Sequence, residues 1–484
     1  MKGIRVALAV LAMLAIAATL AVATGGGPAA SARGAGPASS RITATADQCT
    51  FIVAGKDATA DGSVLMSYNN DWSAANFAYV KVVTPPDRLE HRYLRLLTWS
   101  NIPEGGLNEV GLAANYGVAT GIAPEVLAAD PYATNGVGGD LWDLILRKCR
   151  TAREAIDLLE RIAQARGFAA GAAGSFAVAD ADEAWVFELL GGHHWVAARV
   201  PDDAYYVQPN MQRIRQVDLG RPDRFRGSPD LEQFAVDIGR YDPAEGPFDV
   251  AWAYGDRGRL QSGYSTNRLW GIVDRLSPSL GLSVAMPYQT RPVFVKPDRP
   301  LTRQDLMAAC REHYVETELD QTAGYSLMSP HAQTCRPVCY STTDYSAVWQ
   351  LRREMPAAIG DVMWLALSRP CSSAYVPFYA GVTDVPQRWS QKRAYLAFRK
   401  VADSLDAPGT VEGEIRYLHY IGMVRGAYDA FEAELAAQQA DVEGAAARLW
   451  ASSPQAAEAY LTQYSWTQAA KAQQLASELA AEMP

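Results

Sequence analysis

Apolar and polar positions divide the start of the chain into an apolar run and a featureless stretch. Residues 6–23 carry no charge, are almost entirely apolar and follow Lys2 and Arg5. Residues 24–48 are rich in Gly, Ala, Ser, Pro and Thr and show neither a strand nor a helix period. We therefore predict a signal peptide over 1–23, a flexible pro-segment over 24–48, and a protein that is secreted or held in the cell envelope. An uncleaved membrane anchor is the alternative, because the apolar run is longer than most signal cores.

Strand-like alternation begins abruptly at Cys49. The runs Cys49–Ala54 and Ser63–Tyr68 are both strand-like, and turn-forming residues fill Gly55–Gly62 between them, which predicts a β-hairpin. If Gly55 faces Gly62, antiparallel pairing places Cys49 opposite Tyr68. The polar residues Asn69–Asp71 then lie beside the thiol.

From Trp389 the pattern becomes helical. Ala, Gln and Glu dominate as far as Pro484. Apolar residues recur every three or four positions, namely at Ile415, Leu418, Ile421, Val424, Tyr428, Phe431 and Leu435. We predict a C-terminal helical region over 389–484 that packs on a domain over 49–388. A partner-binding or dimerising helix, and hence a homo-oligomer, is the alternative.

Composition and charge narrow the class of protein. The chain has 484 residues, 49% hydrophobic and 20% charged, which is an ordinary globular profile. Only 6 residues are cysteine, which excludes a disulfide-dense scaffold. The formal charge is −9, the wrong sign for a surface that neutralises nucleic-acid phosphates. Residues 1–48 are net basic, so the rest of the chain would carry about −12.

The position of Cys49 suggests a nucleophile. Cleavage before this residue would give it a free α-amino group, whose pKa of about 8 allows it to take the thiol proton. No histidine, metal or cofactor is then needed. A carboxylate such as Asp71 could hold the ammonium and thiolate in place, while nearby amides meet the oxyanion of an acyl intermediate. This combination predicts acyl transfer.

Three other interpretations of Cys49 stay open. It could be lipidated, although Ala46–Gln48 is charged and polar where a bacterial lipobox has small apolar residues. It could form a structural disulfide, as exported proteins often do. It could also be a buried, unreactive thiol.

His193 and His194 invite a metal interpretation. They lie in a predicted tight turn between strand-like runs over 184–190 and 194–200. Adjacent strand residues point to opposite faces, so we expect a turn and core-face role and no shared ion.

A second group combines one histidine with several cysteines. His331, Cys335 and Cys339 recur at a spacing of four and resemble part of a zinc site. The cysteines other than Cys49 are Cys149, Cys310, Cys335, Cys339 and Cys371. A disulfide among these five is favoured in an exported protein, and zinc binding and free thiols are the alternatives.

Several motifs resemble a known family. Cys49–Ser63 followed by Asn69–Asp71 is similar to the mature start of the dipeptidases of peptidase family C69, within the N-terminal nucleophile hydrolases. Five further segments match in the family's order: Asn108–Ala113, Thr151–Ile156, Gly191–Asp203, Asn267–Trp270 and Tyr375–Val382. The resemblance extends from Cys49 to about Gln387.

The resemblance implies both a fold and an activity. The fold is α+β, an αββα sandwich of two antiparallel sheets between helical layers, here with a C-terminal helical extension. Cys49 would be exposed by self-cleavage or together with signal removal. The expected function is an exported cysteine-type dipeptidase that hydrolyses small peptides with broad side-chain tolerance.

The resemblance also assigns site residues. Cys49 matches the nucleophile and base, and Asp71 the carboxylate that orients it. Asn210 matches the position of an oxyanion-hole amide. Arg268 resembles an active-site arginine that supports the nucleophile's charge or binds a substrate carboxylate, which a guanidinium can contact through two hydrogen bonds.

Tyr68 departs from the family pattern. Members commonly have Arg-Asn-x-Asp where this chain has Tyr68–Asp71. A tyrosine brings no fixed charge, so the thiolate would lose a stabilising neighbour. We expect Tyr68 and Asn69 to contact the substrate, with a preference that can differ from the family's.

Two other functions fit the sequence. One is an acyl-amide hydrolase of the same fold, because related N-terminal cysteine hydrolases cleave acyl amides. The other is a catalytically silent envelope binding protein that uses its acidic surface or its C-terminal helices. Nucleic acid is not an expected partner, and membrane contact is expected only through an uncleaved signal.

Overall fold

The computed structural model describes residues 49–72, 76–98, 101–169, 174–322 and 329–483. All of them belong to one compact unit that spans Thr45–Pro484. The predicted signal peptide over 1–23 and pro-segment over 24–48 lie outside the described residues and stay predictions.

Strands form the centre of the described structure. They are β1 (Thr50–Ala54), β2 (Val64–Asp71), β3 (Ala78–Val83), β4 (Tyr93–Thr98), β5 (Pro103–Asn108), β6 (Ala113–Asn115), β7 (Ser175–Ala179), β8 (Ala184–Leu189), β9 (Trp195–Arg199), β10 (Tyr205–Gln208), β11 (Phe225–Gly227), β12 (Phe294–Val295), β13 (Thr343–Leu351), β14 (Val362–Leu367), β15 (Val376–Tyr379), β16 (Thr410–Val411) and β17 (Glu414–Ile415).

Helices cover both sides of the strands. They are α1 (Pro124–Ala129), α2 (Leu141–Lys148), α3 (Ala152–Ala165), α4 (Leu231–Asp237), α5 (Val250–Tyr254), α6 (Arg257–Gln261), α7 (Gly263–Leu276), α8 (Arg303–Cys310), α9 (Ala357–Gly360), α10 (Lys392–Leu405), α11 (Arg416–Ser452) and α12 (Pro454–Glu482). Single 3₁₀ turns lie at Lys56–Ala58, Pro243–Glu245, Pro278–Leu280, Tyr288–Thr290, Pro330–Ala332 and Pro370–Ser372.

The strands form two large antiparallel sheets. The first has the order β12-β10-β1-β2-β13-β14-β15, and the second has the order β11-β9-β8-β7-β6-β5-β4-β3. Every residue of β2, β8 and β13 is buried, as expected for strands covered on both faces.

Each sheet carries its own helical layer. Helices α2 and α3 pack on the second sheet, while α8 packs on β2 and β13 and α12 packs on β15. In helix α3 the Thr151 side chain accepts from Glu154 N and caps the N-terminus, and all of the buried residues are apolar. The predicted αββα sandwich is therefore confirmed.

The β1–β2 hairpin is confirmed, but its predicted register is wrong by two residues. Thr50 pairs with Asn69, and Phe51 pairs with Tyr68. Continuing this ladder places Cys49 level with Asn70, and not with Tyr68. In the observed ladder Gly55 lies level with Val64 and not with Gly62, because the connection includes a 3₁₀ turn at Lys56–Ala58. Gly55 N donates to Ala204 O, 3.0 Å away on the other side of β1.

The C-terminal region is helical as predicted, with a short β16–β17 hairpin between α10 and α11. Helix α12 packs on α10, α11 and β15, so this region forms part of the same unit. One predicted core position is wrong: Leu418 is 51% exposed. Tyr417 is buried in its place, because the helical phase from Val424 back to the start of α11 favours it.

Within the described ranges, no helix is both long enough and apolar enough to cross a membrane.

Candidate active site

Cys49 lies directly before β1, a central strand of the first sheet, and its side chain is fully buried. Asn70 Nδ2 lies 4.0 Å from its sulfur. The Tyr68 hydroxyl also hydrogen-bonds with the Cys49 side chain. Cys49, Tyr68 and Asn70 share one face because side chains alternate along paired strands.

A buried carboxylate supports Asn70. Asn70 Nδ2 donates to Glu104 Oε2 at 2.8 Å, and Thr98 Oγ1 donates to Glu104 Oε1 at 2.9 Å. The β4–β5 ladder is irregular near Glu104, and the adjacent Gly105 adopts a φ of 97°. A Cβ on Gly105 would lie 2.2 Å from Ala114 O, so this path of the backbone requires glycine.

Arg268 links Asn210 to the backbone of Cys49. Arg268 Nη1 donates to Cys49 O and to Thr50 Oγ1, both at 2.8 Å, and its Nη2 donates to Asn210 Oδ1 at 2.7 Å. Helix α7 holds the guanidinium through Nε, which donates to Tyr264 O at 3.0 Å. Burial lowers the pKa of Arg268 to about 10, and the nearby Arg336 acts in the same direction.

Both the oxygen and the nitrogen of the Asn210 side-chain amide form hydrogen bonds. Its Oδ1 accepts from Arg268, and its Nδ2 donates to Ala119 O at 3.0 Å. The structure thus brings together Cys49, Arg268 and Asn210, which are far apart in the sequence.

Asp71 lies at the end of β2 in an ion pair. Its Oδ2 accepts from Arg336 Nη2, and its Oδ1 accepts from Thr343 Oγ1. Full burial raises the pKa of the Asp71 carboxyl, and Arg336 and Thr343 oppose that shift. By strand alternation, Asp71 faces the side of Thr50 and Arg268, away from the Cys49 sulfur.

Tyr68 and Asn69 occupy different environments. Tyr68 packs beside Tyr345, with ring centroids 5.9 Å apart. Burial raises the pKa of the Tyr68 phenol, and Cys49 and Tyr345 add to the shift. Asn69 Nδ2 donates to Cys310 O at 2.8 Å and to Val338 O at 3.1 Å, so it ties β2 to two backbone segments.

Sequence reasoning missed Glu104 and Arg336. Glu104 lies in Pro103–Gly106, where an acid between proline and two glycines in a strand is unusual and could have drawn attention. Arg336 has no comparable signal, because its pairing with Asp71 joins residues 265 positions apart.

The predicted turn at His193 and His194 is present, but the two side chains do not point to opposite faces. His193 and His194 lie between β8 and β9. Both rings contact one carboxylate: Asp130 Oδ1 is 3.0 Å from His193 Nδ1, and Asp130 Oδ2 is 2.6 Å from His194 Nδ1. The pair therefore anchors a turn to Asp130.

The cysteine prediction is not met. All six cysteines lie within the described residues, and none of them forms a disulfide. The proposed helical spacing of His331, Cys335 and Cys339 also fails, because this segment is a loop around a 3₁₀ turn at Pro330–Ala332. Cys335 accepts from Asn267 Nδ2 at 3.1 Å, while His331 and Cys339 approach each other.

Comparison with known proteins decides the family. The sequence profile described as Peptidase family C69 matches residues 96–402. This chain belongs to peptidase family C69. A probable dipeptidase of Salmonella dublin is 32% identical over 361 residues, which cover 69% of this chain and 81% of that protein. A probable dipeptidase of Latilactobacillus sakei is 28% identical over 385 residues, covering 73% and 80%.

Among solved structures, penicillin V acylase from Agrobacterium tumefaciens matches with 13% identity and a TM-score of 0.33. The match covers 68% of this chain and 86% of that chain. The resemblance inferred from the motifs is confirmed by the family profile and by the two relatives.

In this C69 peptidase, protein groups contact Cys49 at its sulfur and at its backbone. On the sulfur side lie Tyr68 and Asn70, which can donate hydrogen bonds to a thiolate. On the backbone side, Arg268 donates to the carbonyl of the same residue and also to Asn210 Oδ1.

Proposed function

We propose that this protein is an exported dipeptidase that uses Cys49 as an N-terminal nucleophile. Family membership and the names of the two relatives support peptide hydrolysis. The single observation that carries the choice of Cys49 is its hydrogen bonding: Arg268 holds its carbonyl at 2.8 Å, and Tyr68 and Asn70 lie at its sulfur.

The reaction begins with cleavage of the Gln48–Cys49 bond, because only then does Cys49 have a basic α-amino group. That amine takes the thiol proton, and the sulfur attacks the carbonyl carbon of the peptide. Asn210 Nδ2 donates one of its two N–H groups to Ala119 O, and the second N–H is the one that would stabilise the oxyanion. The ammonium returns its proton to the leaving amine, and water then hydrolyses the thioester.

Arg268 acts as a positioning residue in this proposal. Its Nε, Nη1 and Nη2 all donate to protein acceptors, and its side chain is buried. Of the two roles that the family resemblance offers, support of the nucleophile therefore fits better than capture of a substrate carboxylate.

The first experiment determines the N-terminal residue of the purified exported protein by intact mass and N-terminal sequencing. The proposal expects a start at Cys49 in the wild type, and an upstream start in Cys49→Ala would show that Cys49 is exposed by self-cleavage. An active wild-type protein that begins upstream of Cys49 would overturn the α-amino base.

The second experiment separates the candidate activities. Acyl-amide hydrolysis is the second candidate, because the Tyr68–Tyr345 ring pair lies beside the sulfur in place of a charged group. A panel of dipeptides, C-terminally amidated dipeptides and acyl amides is tested with wild type and Cys49→Ala. Cleavage of dipeptides alone supports the proposal, cleavage of acyl amides alone supports the second candidate, and binding without turnover indicates a binding protein.

A further inference from the structure

Four side chains that the proposed reaction does not use converge at one buried point. They are His313, His331, Cys339 and Cys371, and one ligand atom from each lies within 4.8 Å of the other three. His313 follows α8, His331 lies in the 3₁₀ turn at Pro330–Ala332, Cys339 precedes β13 and Cys371 follows β14. We call this set the His–Cys cluster.

The spacing of the cluster fits a tetrahedral ion. His313 Nε2 and His331 Nε2 are 3.1 Å apart, and His331 Nε2 lies 3.3 Å from Cys371 Sγ and 3.8 Å from Cys339 Sγ. Tetrahedral zinc with Zn–N of about 2.0 Å and Zn–S of about 2.3 Å separates its ligand atoms by about 3.3 to 3.8 Å. These three distances lie close to this range, and the other ligand atoms lie within 4.8 Å of one another.

The outer contacts orient His331 for coordination. Asp406 Oδ2 lies 2.9 Å from His331 Nδ1, so the carboxylate accepts the Nδ1 proton and leaves Nε2 as a lone pair facing the cluster. Asp406 is itself held by Arg369 and by Ser329 Oγ, which donates at 2.7 Å. A carboxylate behind a ligating histidine is a common feature of zinc sites.

Hydrogen bonds link the members of the cluster, and the Tyr417 hydroxyl also bonds with Cys371. With Nδ1 of His331 donating to Asp406, its Nε2 offers one lone pair to His313 and to two thiols. A divalent metal ion can bind all four groups at once. The charges balance because Cys339 and Cys371 each release a proton to solvent and bind the ion as thiolates.

We propose that His313, His331, Cys339 and Cys371 form a structural zinc site. The set has two nitrogen and two sulfur ligands and no open position, which is typical of structural zinc and not of catalytic zinc. The inference does not rest on the proposed dipeptidase activity.

The proposed zinc site would stabilise loops beside β2. Val338 O, next to Cys339, accepts from Asn69 of β2. Arg336, three residues before Cys339, pairs with Asp71 at the end of β2. Zinc would thus fix the loop that supplies the partner of Asp71.

The test measures metal content, and two cysteines of one loop provide a matched pair. Wild type, Cys339→Ser and Cys335→Ser are purified without chelator from zinc-supplemented medium and analysed by inductively coupled plasma mass spectrometry. Cys335 lies four residues from Cys339, outside the cluster. We expect one zinc per chain in wild type and Cys335→Ser, and loss of zinc in Cys339→Ser.

Cobalt substitution tests the ligands in folded wild-type protein and needs no variant. Tetrahedral cobalt with two thiolates gives an intense visible spectrum and a thiolate-to-cobalt charge-transfer band in the near ultraviolet. These bands would support the site, and their loss in His331→Ala would support it further. A folded, reduced wild-type protein that contains no zinc and binds no cobalt would overturn the proposal, whether or not it hydrolyses dipeptides. A Cys339–Cys371 disulfide whose reduction does not allow metal uptake would overturn it equally.

Discussion

At the scale of single residues, Arg268 is a buried charged side chain that positions the backbone of Cys49. Its guanidinium joins the Cys49 carbonyl, the Thr50 hydroxyl and the Asn210 amide. A lysine would keep the charge but could not reach these acceptors in one plane, because its ammonium is a single point.

We therefore expect Arg268→Lys to lower kcat by about 100-fold, the cost of misplacing a reacting group by about 1 Å. Free and C-terminally amidated dipeptides should lose activity equally, with little change in KM. Steady-state kinetics on both substrates checks this. A selective rise in KM for the free dipeptide would instead assign Arg268 to the substrate carboxylate.

The Tyr68 hydroxyl hydrogen-bonds with the Cys49 side chain, and such a donor stabilises a thiolate. Tyr68→Phe keeps the ring packed near Tyr345 and removes the donor. We expect the acid limb of the kcat/KM profile to move to higher pH by up to about one unit. Tyr345→Phe is the control, and an unchanged profile for Tyr68→Phe would show that the hydroxyl does not tune the thiol.

At the scale of elements, the end of β2 depends on the loop that follows α8. Asp71 and Arg336 are both buried, and they pair with each other. Removing one partner of a buried pair leaves an uncompensated charge, which costs more than removing both.

We expect Arg336→Met to lower the free energy of unfolding by about 3 to 5 kcal/mol. The double variant Arg336→Met/Asp71→Asn should recover part of that loss, since neither buried group is then charged. Urea denaturation of the two variants checks the comparison. Equal destabilisation would mean that the pair contributes no net coupling.

At the scale of the whole molecule, burial of carboxyl groups makes stability depend on pH. Burial raises the pKa of Glu188 to about 7 and that of Asp361 to about 8, although backbone N–H donors oppose both shifts. A buried acid with a raised pKa retains its proton where the unfolded chain has released it. Its contribution is complete below the unfolded pKa and is lost as pH rises through the folded pKa.

Glu188→Gln should remove that pH-dependent loss, because the amide stays neutral and keeps an oxygen acceptor for Arg213 N and Ile214 N. Relative to wild type, we expect the variant to gain stability between pH 5 and pH 8, by up to about 3 kcal/mol. Urea unfolding at both pH values checks this, with the exposed Glu232→Gln as control. Parallel pH profiles for Glu188→Gln and wild type would contradict the assignment.

The sequence by itself determined what depends on neighbouring residues. Strand alternation on each side of Gly55–Gly62 predicted the hairpin, and the period of three to four predicted the C-terminal helices. The family motifs predicted the αββα sandwich and the meeting of Asn210 and Arg268 near Cys49. Each of these signals is carried by residues a few positions apart, or by motifs kept in a fixed order.

Only the tertiary structure decided the hairpin register and the contacts between residues that are far apart in the sequence. The hairpin register differs from the one predicted from Gly55 and Gly62, and Gly55 N donates to Ala204 O, which lies outside the hairpin. The partners Glu104 and Arg336, and the meeting of His313 with Cys371, likewise join separate segments. No local period encodes such pairs, because they form only when the sheets bring the ends of different strands and helices together.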